Sequence, residues 1–205
     1  MNILAIGAHP DDIEFGCGGT LIKYAQSGHS VNFLVLTDGS FGGDPGVRKI
    51  EQEEVIRYMG AKEVFWGTFR DTELKDNRQL ISRIDEVISK VKPDTVFLNY
   101  YEDGHQDHRA ASEAGISAAR YVKEVLFYEV PTTQRFEPDI FVDIQEVMDR
   151  KSKLLELHAS QLDKTRVKNL TIIESANACA TFRGYQGRVK YAEGFKALRV
   201  LKDIR

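Results

Sequence analysis

Short apolar runs alternate with amphipathic segments along this chain, and the alternation predicts the elements. Residues 2–8 read as a first strand, carried by Ile3, Leu4, Ala5 and Ile6. Residues 31–36 read as a second strand, closed by Thr37-Asp38-Gly39. Three further apolar runs, at 64–66, 95–99 and 125–130, read as strands three to five. Between them lie helical patterns. Residues 18–26 form one, with Ser27-Gly28 as its stop, and residues 48–59 another, with Gly60 as its stop. Residues 78–91 place Leu80, Ile84, Val87, Ile88 and Val91 near one face and end before Pro93. Residues 108–120 form an alanine-rich helix. Residues 40–47 hold three glycines and a proline and read as a loop. After Pro131 the pattern weakens. Residues 140–142 suit another strand and residues 145–158 a helix, while 163–187 stay ambiguous.

Strands alternating with helices argue for right-handed βαβ units. The fold class is α/β, a Rossmann-like, mainly parallel sheet with helices on both faces. In such sheets, sites form in the crevice beyond the carboxyl ends of the strands. Three polar clusters fall there: 9–14, 37–39 and 103–108. No repeat or linker interrupts the pattern, so a single domain over 1–205 is expected.

Composition changes this picture only by exclusion. Of 205 residues, 28 are basic and 31 acidic, a net charge of −3 that argues for neither nucleic acid nor a membrane surface as partner. No apolar stretch approaches the roughly 20 residues of a membrane span. The first residues go straight into a strand-like run, so no signal peptide is expected. Cys17 and Cys179 stand far apart and form no CxxC pair, which makes a disulfide framework unexpected and a cytoplasmic location the default.

The chemistry concentrates in two post-strand turns. One supplies His9, Asp11 and Asp12, the other His105, Asp107 and His108, so three of the five histidines sit in two short segments. Imidazole and carboxylate are ordinary zinc ligands, and three protein ligands leave a position open for water. A neighbouring carboxylate can act as base on that water. Each cluster alone has a plainer explanation. His-Pro-Asp-Asp could be only a turn, Asp11 or Asp12 only a helix cap, and His-x-x-His only a surface helix start. At the ends of strands in one sheet, the two together favour a metal site. A cation would also offset the repulsion of adjacent aspartates.

These residues carry a family resemblance. Ala8-His9-Pro10-Asp11-Asp12, Gly16-x-Gly18-Gly19-Thr20, Thr37-Asp38-Gly39 and His105-x-Asp107-His108-Arg109 occur in order, followed by His158-Ala159-Ser160-Gln161 and Tyr191-Ala192-Glu193-Gly194-Phe195. The chain resembles the PIG-L/LmbE-like family of zinc-dependent N-acetylglucosaminyl deacetylases over almost its whole length. The resemblance implies that His9, Asp12 and His108 bind one Zn2+, or another divalent ion such as Fe2+. It implies Asp11 as the general base, which also returns a proton to the leaving amine. His105 would stabilise the oxyanion and Asp107 would orient a histidine. Arg48 and Asp71 would hold sugar hydroxyls, making a small amino sugar the partner, and family habit implies a homo-oligomer. The stretch Arg70–Leu74 is similar to that of diacetylchitobiose deacetylases. One departure stands out: some thiol-sugar deacetylases of the family have a tyrosine where this chain has Asp103.

Other polar or reactive residues have plainer readings. The glycine motif lacks the third glycine of GxGxxG, because position 21 is Leu21, and no Walker lysine follows, which disfavours nucleotide binding. Close packing of a helix start is the better reading, with Cys17 a small packed residue. Glu14 is expected to support Asp11, and His158 to be a buried structural histidine. His29 is expected in an exposed turn, and Lys151 and Lys153 to be solvated. Two rivals remain open from the residues alone: a metallophosphoesterase, and a sugar-binding protein with a vestigial metal site. Retention of Asp11 with His105 argues against the second.

Overall fold

The computed structural model describes residues 1–201. Seven strands form one sheet in the order β3-β2-β1-β4-β5-β7-β6. They are β1 (Asn2–Gly7), β2 (Ser30–Thr37), β3 (Glu63–Phe69), β4 (Thr95–Asn99), β5 (Glu124–Tyr128), β6 (Ile140–Asp143) and β7 (Ala192–Arg199). The first five pair in parallel. β7 runs antiparallel to both β5 and β6. This is the mainly parallel α/β sheet expected from the alternation, with an antiparallel strand near one edge.

The helices are α1 (Asp12–Gln26), α2 (Pro45–Met59), α3 (Arg78–Val91), α4 (Gln106–Ala118), α5 (Met148–Leu157) and α6 (Ile172–Gly187). Strand side chains alternate faces, so the buried runs divide into two cores. Ile3, Ala5, Phe33 and Phe97 join one core, with α1, α2, α5 and α6 contributing residues such as Leu21, Val55, Leu154 and Ala176. Leu4, Ile6, Leu34 and Leu98 join the other, covered by α3 and α4 through Leu80, Ile84 and Ala114.

Boundaries differ from the sequence reading where polar residues cap or enter helices. α1 begins at Asp12, six residues earlier than expected, so the glycine motif lies inside the helix. Gly16 is needed there, because a Cβ would lie 2.0 Å from the Tyr128 ring. α2 begins at Pro45, with Asp44 accepting from the Val47 N–H at 2.9 Å, which shortens the expected loop. The ambiguous stretch contains α6, started by a reciprocal capping box of Thr171 and Glu174.

Lys151 overturns its expected solvation: it is 3% exposed, whereas Lys153 is exposed. Glu193 accepts from the Gly19 and Thr20 N–H groups in the middle of α1, at 2.8 and 2.7 Å. Lys151 Nζ bonds the Phe15 carbonyl at 2.6 Å and Glu193 at 2.5 Å. A buried carboxylate on β7 thereby draws a lysine of α5 inward, and the two clamp α1 against both. Losing one partner of a buried pair typically costs about 3–5 kcal/mol, because the other charge remains desolvated. Lys151→Met is therefore expected to lower stability by about that amount, read as the urea midpoint. An unchanged midpoint would refute the clamp.

Candidate metal centre and cleft

Strand order reverses between β1 and β4, since the chain builds β2 and β3 on one side before returning to build β4 and β5 on the other. A crevice opens at the carboxyl ends of strands at such a switch point. Both His/Asp clusters lie there, His9–Asp12 after β1 and Asp103–His108 after β4.

Carboxylates aim the two buried imidazoles. His9 Nε2 lies 3.0 Å from Asp71 Oδ1 and 3.3 Å from Asp107 Oδ2. His108 Nδ1 lies 3.1 Å from Asp103 Oδ1. With those nitrogens as the N–H donors, His9 Nδ1 and His108 Nε2 carry free lone pairs and lie 3.2 Å apart. The Asp12 carboxylate faces both, with Oδ1 3.3 Å from His108 Nε2 and Oδ2 3.5 Å from His9 Nδ1. Ligand atoms about 2.0–2.1 Å from a tetrahedral zinc lie about 3.4 Å from one another, so the residues fit such an ion. Two overlapping groups, His9–His105–His108 and His9–Asp71–Asp107, each keep one ligand atom per residue within 4.8 Å of the others.

The charges agree with this geometry. Burial pushes the Asp12 pKa up, but His108 and His9 outweigh it and hold the group well below the usual range. Burial lowers the His108 pKa, while Asp12 and Asp103 lift it to about 9 overall. His9 is likewise lifted against its burial, by Asp107, Asp12 and Asp71. A cation satisfies the same carboxylate-rich pocket that otherwise favours imidazolium.

Asp11 and His105 flank this group. Asp11 is the N-cap of α1 at φ 101°, a left-handed conformation that costs a non-glycine residue roughly 1–2 kcal/mol. Arg48 Nη2 holds its carboxylate at 3.1 Å. Burial raises the Asp11 pKa and Arg48 opposes the rise. His105 caps α4, its Nδ1 accepting from the Asp107 N–H at 3.2 Å, which leaves the proton on Nε2. Burial, then repulsion from His9 and His108, lowers its pKa and favours the neutral ring. His9, Asp11, Arg48, Asp71 and His105 all line a cleft of about 420 Å³.

Other expected residues serve mainly to brace this arrangement. Arg48, 3% exposed, donates to the Gly39 and Pro10 carbonyls, and its Nε is buried without a partner. Gly39 stands at φ 64° with the guanidinium where a side chain would go. Asp71 uses its second oxygen to accept from the Phe41 N–H at 2.8 Å. Asp107 also accepts from the Thr72 and Leu74 N–H groups. Glu14 is fully buried and contacts Gln52 at 2.6 Å and His158 at 3.5 Å, so it lies behind the site. Asp103, which opens the 103–108 polar cluster but has no role assigned from the sequence, orients His108 from five residues earlier. Cys17 is buried and free, as is the half-buried Cys179, with burial pushing both thiols up. Among the described residues no helix is long and apolar enough to cross a membrane.

Comparison with known proteins agrees with this centre. The family described as GlcNAc-PI de-N-acetylase, PIG-L, matches residues 4–119. This chain belongs to the PIG-L family. It is 36% identical over 155 residues to the uncharacterized deacetylase YaiS of Escherichia coli strain K12, covering 70% of this chain and 82% of YaiS. It is 33% identical over 192 residues to the diacetylchitobiose deacetylase of Thermococcus kodakarensis, covering 78% and 69% of the two chains. The structure of N,N'-diacetylchitobiose deacetylase from Pyrococcus horikoshii superposes with a TM-score of 0.84 at 28% identity, covering 96% of this chain and 83% of that one. The phosphoesterase and vestigial-site readings gain no support from these PIG-L relatives.

The centre makes a direct prediction. A divalent ion at 100 times its Kd is expected to stabilise the protein by about 2.7 kcal/mol, read as a rise in Tm. Asp12→Ala and His108→Ala should abolish the rise, and a rise unchanged in both would exclude this ligand set.

Proposed function

We propose that the chain is a metal-dependent hydrolase that removes acetate from an N-acetylglucosamine-type sugar or glycoconjugate. The observation that carries this reading is the convergence of His9, Asp12 and His108 beside Asp11 and a neutral His105, with His9, Asp11 and His105 lining one cleft and Asp12 and His108 buried next to them. His9, Asp12 and His108 would hold a divalent cation such as Zn2+ or Fe2+. When bound, that ion supplies Lewis-acid polarisation of the acetyl carbonyl and acidifies the attacking water.

The remaining chemistry belongs to side chains. Asp11 takes a proton from the attacking water as its oxygen bonds to the acetyl carbon. Burial makes Asp11 a stronger base than a surface carboxylate, and Arg48 keeps it ionised and aimed. His105 donates its Nε2 proton as a hydrogen bond to the carbonyl oxygen as negative charge develops. Asp11 then delivers its proton to the sugar nitrogen, the C–N bond breaks, and acetate and free amine leave. Asp71 and Asp107 keep His9 turned toward the ion. Asp71, on the cleft wall, keeps lone pairs that would accept from sugar hydroxyls, whereas the Arg48 guanidinium is committed to Gly39, Pro10 and Asp11.

Amine release from N-acetylglucosamine, diacetylchitobiose and acidic N-acetylglucosaminyl conjugates tests the reading. Metal-loaded wild-type protein should release amine from at least one of them. Asp11→Asn should lose nearly all of the rate while keeping its metal. His105→Ala, which removes one oxyanion donor, should lose about 10²–10³-fold in kcat with metal content unchanged. Full activity in either variant would overturn the assigned roles.

A further inference from the structure

The cleft has a rim that the hydrolysis does not use. Lys164 and Arg166 line it from the loop that precedes α6. That loop is seated on the body of the protein. Ser160 donates through its N–H and its hydroxyl to the two Glu51 oxygens, at 2.8 and 2.7 Å. Gln161 Nε2 donates to Ser160 Oγ at 2.8 Å and reaches the Gly42 carbonyl at 3.4 Å. The Lys164 N–H returns to the Gln161 carbonyl at 3.0 Å. Thr165 Oγ1 bonds the Leu170 carbonyl at 2.7 Å and accepts from the Val167 N–H at 3.2 Å. Arg166, between these anchors, has φ 63°, a conformation that non-glycine residues seldom adopt.

The charges in the cleft do not cancel. Arg48 is paired with Asp11, and Asp71 with His9. Lys164 and Arg166 are both exposed, and among the described residues neither forms an ion pair. The lining therefore holds two unneutralised cations outside the groups that would act on the acetamide. On the whole chain the balance is acidic, −3, so this local excess of positive charge is not a general property of the surface. Both cations are hydrated whatever the aglycone, so a neutral one gains nothing from them. An anionic one would meet two donors on an anchored loop, one of them a planar guanidinium suited to carboxylate or phosphate.

We propose that Lys164 and Arg166 form a subsite for an anionic aglycone, selecting N-acetylglucosamine conjugates that bear a carboxylate or phosphate next to the sugar. This rests on the deacetylase reading above. The test uses the metal-loaded full chain and three substrates: N-acetylglucosaminyl malate, N-acetylglucosamine 1-phosphate and the neutral diacetylchitobiose. Wild type should prefer one or both anionic compounds, and the better of the two identifies the anion. Lys164→Gln with Arg166→Gln should reduce kcat/KM on the preferred anionic compound roughly tenfold, through KM, and leave the neutral one unchanged. Raised salt should erode the preference in wild type only.

Equal use of neutral and anionic substrates by wild type, or equal losses on both in the double variant, would overturn the subsite while leaving the deacetylase reading intact. If no compound is hydrolysed, that reading fails instead, and the rim is judged by binding. Calorimetry on the Asp11→Asn protein should then show the anionic sugars binding more tightly than diacetylchitobiose, with the difference lost on adding the two rim substitutions. Equal affinities there would also overturn the subsite.

Discussion

The pairing of each buried imidazole with its own carboxylate is the constraint on which this structure turns. Asp71 and Asp107 hold Nε2 of His9, and Asp103 holds Nδ1 of His108. These contacts select the nitrogen that keeps its lone pair, and so aim both rings at the same point beside Asp12. Without them the rings would be free to present either nitrogen, and the 3.2 Å approach of His9 Nδ1 to His108 Nε2 beside the Asp12 carboxylate would not persist. The arrangement desolvates several carboxylates, a cost that backbone N–H donors offset in part and cations offset further. A bound metal ion and imidazolium are alternative ways of meeting the same need.

The rest of the fold keeps this cluster in place from behind. Arg48 ties the turn after β1 to the loop after β2, through Pro10, Asp11 and Gly39. Glu14, Gln52 and His158 form a fully buried polar layer beneath that turn. The Lys151–Glu193 pair then fixes α1 to α5 and β7. Residues from five separate elements thus meet around the first turns of α1. Rigid backing suits chemistry that depends on placing a base, a hydrogen-bond donor and an ion within a few ångströms. It also explains why a strained Asp11 persists: Arg48 holds its carboxylate and the Phe15 N–H holds its carbonyl.

Much of this was legible in order along the chain. Strands β1, β2 and β4, the helix at 78–91 and the two His/Asp turns follow from apolar periodicity and from turn residues at strand ends. Those are local signals, and the local rules of side-chain alternation and capping govern them. Less legible were the parts held by long-range contacts. At the early start of α1, Asp12 accepts locally from the His9 N–H, while Arg48 and His108, which face Asp11 and Asp12, are brought close only by the sheet. α6 lies in a stretch with no clear apolar stripe, where the local Thr171-x-x-Glu174 capping box was the one signal of its start. Lys151 reads as a surface lysine until Glu193, 42 residues away, comes beside it.

The sequence by itself determined the α/β class, the positions of the motifs at strand ends and the residue types available for metal chemistry, because these depend on neighbours within a few residues. Only the tertiary structure decided which nitrogen each histidine presents, that Asp103 belongs to the centre, and that Glu14 sits behind it. It also decided that Lys164 and Arg166 reach the mouth of the same cleft. These depend on distances between segments separated by tens of residues, and a linear pattern carries no information about which buried charges will face one another.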